Sequence, residues 1–174
     1  MSFGDAALVL AWVAIVLLAL GLSGLMRQLH ALQAHGLPRA QRVGLPPGTP
    51  LPEWMRQLVG DGSRPAVLLF SEAQCESCKA VLPDFQKFAQ SMRGDVNVAI
   101  VTRGGVPSVT LGPQLRVVES AEAFSELRVP FVPVAAGVSS DGILIATEAV
   151  GSPERLEAFL RTFGNMTRRE GARR

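Results

Sequence analysis

Apolar positions fall into three kinds of run along the chain, and each kind predicts a different element. Residues 6–26 hold no charged side chain across 21 positions. At about 1.5 Å of rise per residue, such a segment covers a hydrocarbon core of about 30 Å, so it predicts one N-terminal transmembrane helix. Asp5 precedes it without any Lys or Arg, and no small-x-small exit follows, which favours a retained anchor over a cleaved leader. Few soluble helices are apolar all the way round, which counts against a buried core helix. Residues 27–34 can continue this helix with Leu25, Leu29 and Leu32 on one side.

Short apolar runs form the second kind. Residues 66–71 and 96–101 predict strands, and the unbroken run in the first fits a strand covered on both faces of a parallel or mixed sheet. Residues 115–118 predict a shorter strand. Residues 134–138 and 143–150 flank Ser139-Ser140-Asp141-Gly142, the pattern of an antiparallel hairpin. The third kind has three- and four-residue spacing. From Cys75 it predicts a helix burying Val81, Leu82, Phe85, Phe88, Ala89 and Met92, with Pro83 inside it as a kink. Ser152 as N-cap and Pro153 as first helical residue open another, burying Leu156, Phe159, Leu160 and Phe163. Residues 53–59 and 120–127 predict two short helices.

Five of the 12 prolines (Pro38, Pro46, Pro47, Pro50 and Pro52) lie in residues 35–52, which predicts an extended linker. The predicted organisation is an anchor and juxtamembrane helix over 1–34, a linker over 35–52, a folded domain over 53–164 and a frayed basic tail over 165–174. A net charge of +2 is too mild for a nucleic-acid partner. The two histidines, His30 and His35, both precede residue 50 and lack tetrahedral partners nearby, so no metal site is expected. After residue 50 proton chemistry is left to Cys, Asp and Glu, which excludes a histidine-based hydrolase triad. Gly104-Gly105 lacks the pattern of a phosphate loop.

The chemistry concentrates in Cys75-Glu76-Ser77-Cys78, which holds the only 2 cysteines of the chain. A strand ends just before it and a helix starts on it. The first sulfur then sits at a helix N-terminus, where free N–H groups and the macrodipole favour thiolate. A second thiol one helical turn away completes the minimum equipment for thiol–disulfide exchange. A purely structural disulfide across two residues closes too small a loop to stabilise much.

This order of strand, C-x-x-C helix, strand, hairpin and terminal helix resembles the thioredoxin fold. Lys79 after the second cysteine, Pro83 in the helix, the segment Leu127-Arg128-Val129-Pro130-Phe131-Val132-Pro133 and Gly142 add to the match. The resemblance implies an α/β three-layer fold, a central mixed sheet flanked by helices, with a cis-proline beside the cysteines. Pro133 preceded by Val132 is assigned that place, and Pro130 is the competing position. It further implies that the Val132 backbone docks an extended partner peptide as an added strand does, while Lys79 and Glu76 tune the electrostatics. The anchor, Met26-Arg27-Gln28-Leu29-His30-Ala31-Leu32, the linker and Gly151-Ser152-Pro153-Glu154-Arg155-Leu156-Glu157 are similar to the methylamine utilisation protein MauD group. That similarity implies a membrane-tethered thiol–disulfide oxidoreductase acting on exported client proteins. Its redox group would be the Cys75–Cys78 disulfide, without a further cofactor, and an integral-membrane redox partner would serve as electron source.

The chain also departs from the pattern. Leu69 stands where thioredoxin has a buried acid, Gln74 replaces the usual tryptophan, and Glu76-Ser77 lacks the common proline. With Glu72 and Glu76 close by, negative charge opposes the helix dipole and raises the Cys75 pKa, arguing against a very strong oxidant. Arg27, Arg39 and Arg42 after the apolar span place the domain in the cytoplasm by charge bias, whereas the resemblance places it outside. Large domains translocate regardless of local charge, so the expectation is a single-pass cell-membrane protein with an extracytoplasmic domain. The competing class is a non-catalytic thioredoxin-fold module scaffolding a membrane partner. Haem attachment is disfavoured because Lys79 follows Cys78 in place of histidine.

Overall fold

The computed structural model describes Trp12, Ile15, Leu17 and Leu18 and residues 43–60, 63–92, 94–105, 111–113 and 115–171. The chain divides into two units, Met1–Arg39 and Ala40–Arg174. In the first, the four described residues are helical and exposed. The rest of the apolar span over 6–26, the following helix and the linker up to residue 42 lie outside the described residues. Among the described residues no helix is long and apolar enough to cross a membrane.

The second unit is built around β1 (Ala66–Ser71), all six residues of which are buried. It pairs in parallel with β2 (Asn97–Thr102), which pairs in parallel with β3 (Arg116–Glu119). On its other side β1 pairs antiparallel with β4 (Val134–Val138), and β4 with β5 (Leu144–Ala149). The sheet order is β3-β2-β1-β4-β5. The helices are α1 (Glu53–Val59), α2 (Glu76–Ser91), α3 (Ala121–Glu126) and α4 (Pro153–Gly171).

Strand alternation divides the core into two layers. Val67, Leu69, Val98, Ile100 and Ala135 face α2 and α4, where they meet Val81, Leu82, Phe85, Leu156, Phe159 and Phe163. Leu68, Phe70, Ala99, Val101 and Ala136 face the opposite side, where Met55, Phe124 and Leu127 cover them. A parallel pair needs a crossover, and α2 makes it between β1 and β2. Gly137 of β4 allows α4 to approach, since a Cβ there would lie 2.5 Å from the Phe163 ring.

Three features differ from the sequence expectations. Residues 43–52 belong to the domain rather than to a free linker. Val43, Leu45, Gly48 and Leu51 donate backbone bonds of 2.8–3.4 Å to Thr147, Leu127, Leu144 and Gly142, and Leu144 returns one to Thr49. Val43 and Leu51 are buried in the α3-side core. Prolines remove donors only at their own positions, and the amides between them pair with the hairpin. The terminal helix runs to Gly171, past the expected frayed end, and the Thr167 hydroxyl donates to the Phe163 and Gly164 carbonyls at 3.3 and 3.2 Å. Phe88 and Met92 are half-buried rather than fully buried, at the edge where α2 meets α4.

Candidate redox site

β1 ends at Ser71, and the chain turns through Glu72 to Cys75, whose N–H donates to the Glu72 carbonyl at 3.3 Å. Cys75 has extended backbone angles and caps α2, its sulfur accepting the Cys78 N–H at 3.1 Å. An N-cap acceptor satisfies one of the unpaired N–H groups of the first turn, and here that acceptor is also the reactive atom. Cys75 and Cys78 form a disulfide with Cα atoms 5.2 Å apart. The two sulfur-bearing residues are unequal: Cys75 is half-buried, whereas Cys78 is 0% exposed. Ser77 Oγ lies 3.4 Å from Cys75 Sγ on the open side.

The cis peptide bond is Val132–Pro133; Val129–Pro130 is trans. Pro133 is buried immediately before β4, and the first residue of β4, Val134, pairs with Phe70 of β1. The cis-proline therefore sits at the same end of the sheet as Cys75. Its carbonyl accepts the Val150 N–H at 3.1 Å, which ties the loop to the end of β5. Val132 makes no hydrogen bond to any described residue, and Phe131 beside it is 44% exposed.

The charges around the pair are arranged differently from the sequence expectation. Glu76 is bound by Lys79 Nζ at 2.6 Å, and Glu72 by Arg103, whose guanidinium also lies 4.8 Å from the Phe124 ring centroid. Both carboxylates near Cys75 are thus paired with cations, which offsets the unfavourable charge assigned to them above. The Glu76 pair is largely solvent-exposed and worth little. Arg103 gave no sequence signal, since it reaches Glu72 across 31 positions from a glycine-containing loop. Leu69 is fully buried on the α2 side, so no acid lies in its place beneath the disulfide. Pro83 lies on the exposed side of α2, within the helix. Farther away, burial raises the Glu148 pKa, and a hydrogen bond from Ser152 lowers that of Glu154. Among the described residues no group of three His, Cys, Asp or Glu side chains could hold a metal ion.

No family model matches the chain. It is 25% identical over 178 residues to the methylamine utilization protein MauD of Paracoccus versutus, covering 92% of this chain and 89% of that protein. Its structure is similar to that of a protein assigned as a disulfide isomerase from Bacteroides thetaiotaomicron, with a TM-score of 0.57 at 14% identity, covering 74% of this chain and 95% of the other. It is also similar, with a TM-score of 0.47 at 20% identity, to an exposed lipoprotein thioredoxin from Streptococcus pneumoniae, over 58% and 86% of the two chains. The fold is thioredoxin-like, a mixed sheet between helices, and it carries a C-x-x-C disulfide at the start of its central helix.

Proposed function

We propose that this protein is a thiol–disulfide oxidoreductase that exchanges disulfides with client proteins through Cys75 and Cys78. The observation that carries this reading is the unequal exposure of the pair at a helix N-terminus, with one sulfur reachable and one sealed. A client thiolate attacks Cys75 Sγ, the Cys75–Cys78 bond breaks, and Cys78 departs and takes up a proton to become the buried thiol. A second client thiolate then displaces Cys75, leaving an oxidised client and a reduced dithiol. In the reverse direction Cys75 attacks a client disulfide and Cys78 resolves the mixed species.

The Val132 backbone beside cis-Pro133 supplies unpaired donor and acceptor groups for an extended client segment. Phe131 offers that segment an apolar contact. Ser77, Lys79, Glu76 and Pro83 shape and charge the first two turns of α2 around the sulfurs. The likeness to MauD supports a membrane-tethered, extracytoplasmic enzyme, anchored through residues 6–26 and serving the maturation of exported proteins. Clients would then carry thiols or disulfides, and an integral-membrane redox partner would restore the dithiol.

Trapping tests the reading. Cys78→Ser should accumulate client proteins linked to Cys75, visible as reductant-sensitive adducts, and the Cys75→Ser, Cys78→Ser double variant should show none. Absence of adducts together with failure of the reduced wild type to react with a model disulfide would leave a scaffold role in place of exchange.

A further inference from the structure

Ser71 closes β1 and Thr102 closes β2, and the two are register partners in the parallel ladder. Each is 0% exposed. Each hydroxyl oxygen is sealed from solvent and has no hydrogen-bond partner among the described residues. Alternation places Ser71 on the face of Val67 and Leu69, and Thr102 on the face of Val98 and Ile100, so both face α2. From α2 the first buried residue facing the sheet is Cys78, one turn before Val81 and Leu82. Pro133 lies one position beyond the Phe70–Val134 pair, which brings it level with Ser71. The row Thr102, Ser71, Pro133 thus crosses the end of the sheet below the first turn of α2. Buried hydroxyls without partners are costly, and two neighbours in one polar spot are what an internal water satisfies.

The exchange reading makes a demand at this place. When Cys78 resolves a mixed disulfide, a Cys78–Cys75 bond forms, the Cys75–client bond breaks, and the proton of the Cys78 thiol must leave. Burial disfavours its thiolate, and Leu69 offers no acceptor. The ionisable groups nearby are otherwise engaged or distant. Glu72 is held by Arg103, Glu76 by Lys79, and Asp84 by Lys87 two turns farther along α2. Glu148 shares the row of Leu69 and Ala135 but stands two strands away, on β5. Of the four buried polar side chains among the described residues, Ser139 lies beyond the other end of β4 and Thr147 on the opposite face.

We propose that Ser71 and Thr102 hold a buried water beneath Cys78 that carries the proton of its thiol to the departing client sulfur during the resolving step. This rests on the exchange reading above. Both are positioning residues, acting through the water, and the net reaction converts the Cys78 thiol and client mixed disulfide into the Cys75–Cys78 disulfide and a client thiol.

Rapid mixing of the reduced full-length chain with glutathione disulfide separates the steps. A bimolecular phase links glutathione to Cys75, and an internal phase releases it. In the double variant Ser71→Ala, Thr102→Val the internal phase should slow about tenfold or more at neutral pH, with its pH midpoint moved upward, while the first phase is kept. Thr102→Ser, which retains a hydroxyl, should keep the wild-type profile. An unchanged internal phase and midpoint in the double variant would overturn this proposal alone. A wild type that never enters the first phase would overturn the exchange reading and this proposal with it. Should the double variant not fold, Thr102→Val alone decides by its melting midpoint: loss of a bound water lowers the midpoint, whereas removal of a merely unpaired hydroxyl raises it and refutes the water.

Discussion

At the scale of single residues, the site works through small differences in exposure and charge. Cys75 meets solvent and Cys78 does not, so the trapping variants described above act in a fixed order. Arg103 has a subtler role. It neutralises Glu72 and covers the Phe124 ring, with its side chain 44% exposed. Arg103→Met should release the Glu72 charge towards Cys75 and disfavour its thiolate. The effect is that of a half-exposed pair, about 0.2–1 kcal/mol, or up to about a fivefold fall in the rate of Cys75 alkylation near neutral pH. Alkylation rates of the reduced protein against pH would show it as a small upward shift. An identical profile in the variant would show that Glu72 does not act on Cys75. Phe131→Ala should weaken client docking while sparing reaction with a small disulfide, measured by comparing a peptide disulfide with glutathione disulfide.

At the scale of elements, two contacts hold the domain together in ways the local sequence does not announce. The strap over residues 43–52 covers the α3 side of the sheet, with Leu51 6% exposed. Leu51→Ala should cost about 2–4 kcal/mol in chemical denaturation, whereas a side chain in a free linker would cost almost nothing. On the other side, Gly137 lets α4 seat Phe163 against β4. A Cβ at that position meets ring carbons at 2.5 and 2.9 Å. Gly137→Ala should therefore destabilise the fold by about 1–3 kcal/mol through overpacking, again read from a denaturation midpoint at unchanged slope.

At the scale of the whole molecule, stability responds to pH through Glu148 with a definite sign. Burial raises its pKa above 4.5, so the folded state binds the proton more tightly than the unfolded chain. Its contribution is present below 4.5 and is lost as pH rises through the folded value. Glu148→Gln should raise the melting midpoint at neutral pH and leave it unchanged well below 4.5. An equal gain at both pH values would assign the effect to packing instead. The same scale decides what the two cysteines can reach. The antiparallel pairing of β4 with β1 carries the cis-proline to the end of the sheet where Cys75 caps α2. Cys75 and Pro133, 58 positions apart, are thereby made into one surface.

The periodic signals were legible because they are local. An apolar run of strand length, a three- and four-residue stripe, or a serine–proline start imposes its element within a few residues. The C-x-x-C spacing likewise carries its own chemistry, since a capping sulfur and a sulfur one turn later meet in any helix that starts there. Other features depended on partners far along the chain. Glu72 looked like an unfavourable charge until Arg103 arrived from the end of β2. Residues 43–52 looked like a linker because proline content says nothing of which carbonyls the remaining amides will find. Ser71 and Thr102 read as the polar ends of two strands, and only the β1–β2 register sets them side by side on the face of the sheet that α2 covers. Sequence alone determined the elements and the reactive pair, because backbone periodicity and capping are short-range. Tertiary structure decided which groups surround that pair, because charge pairing and burial are set by strand register and by which segments pack together.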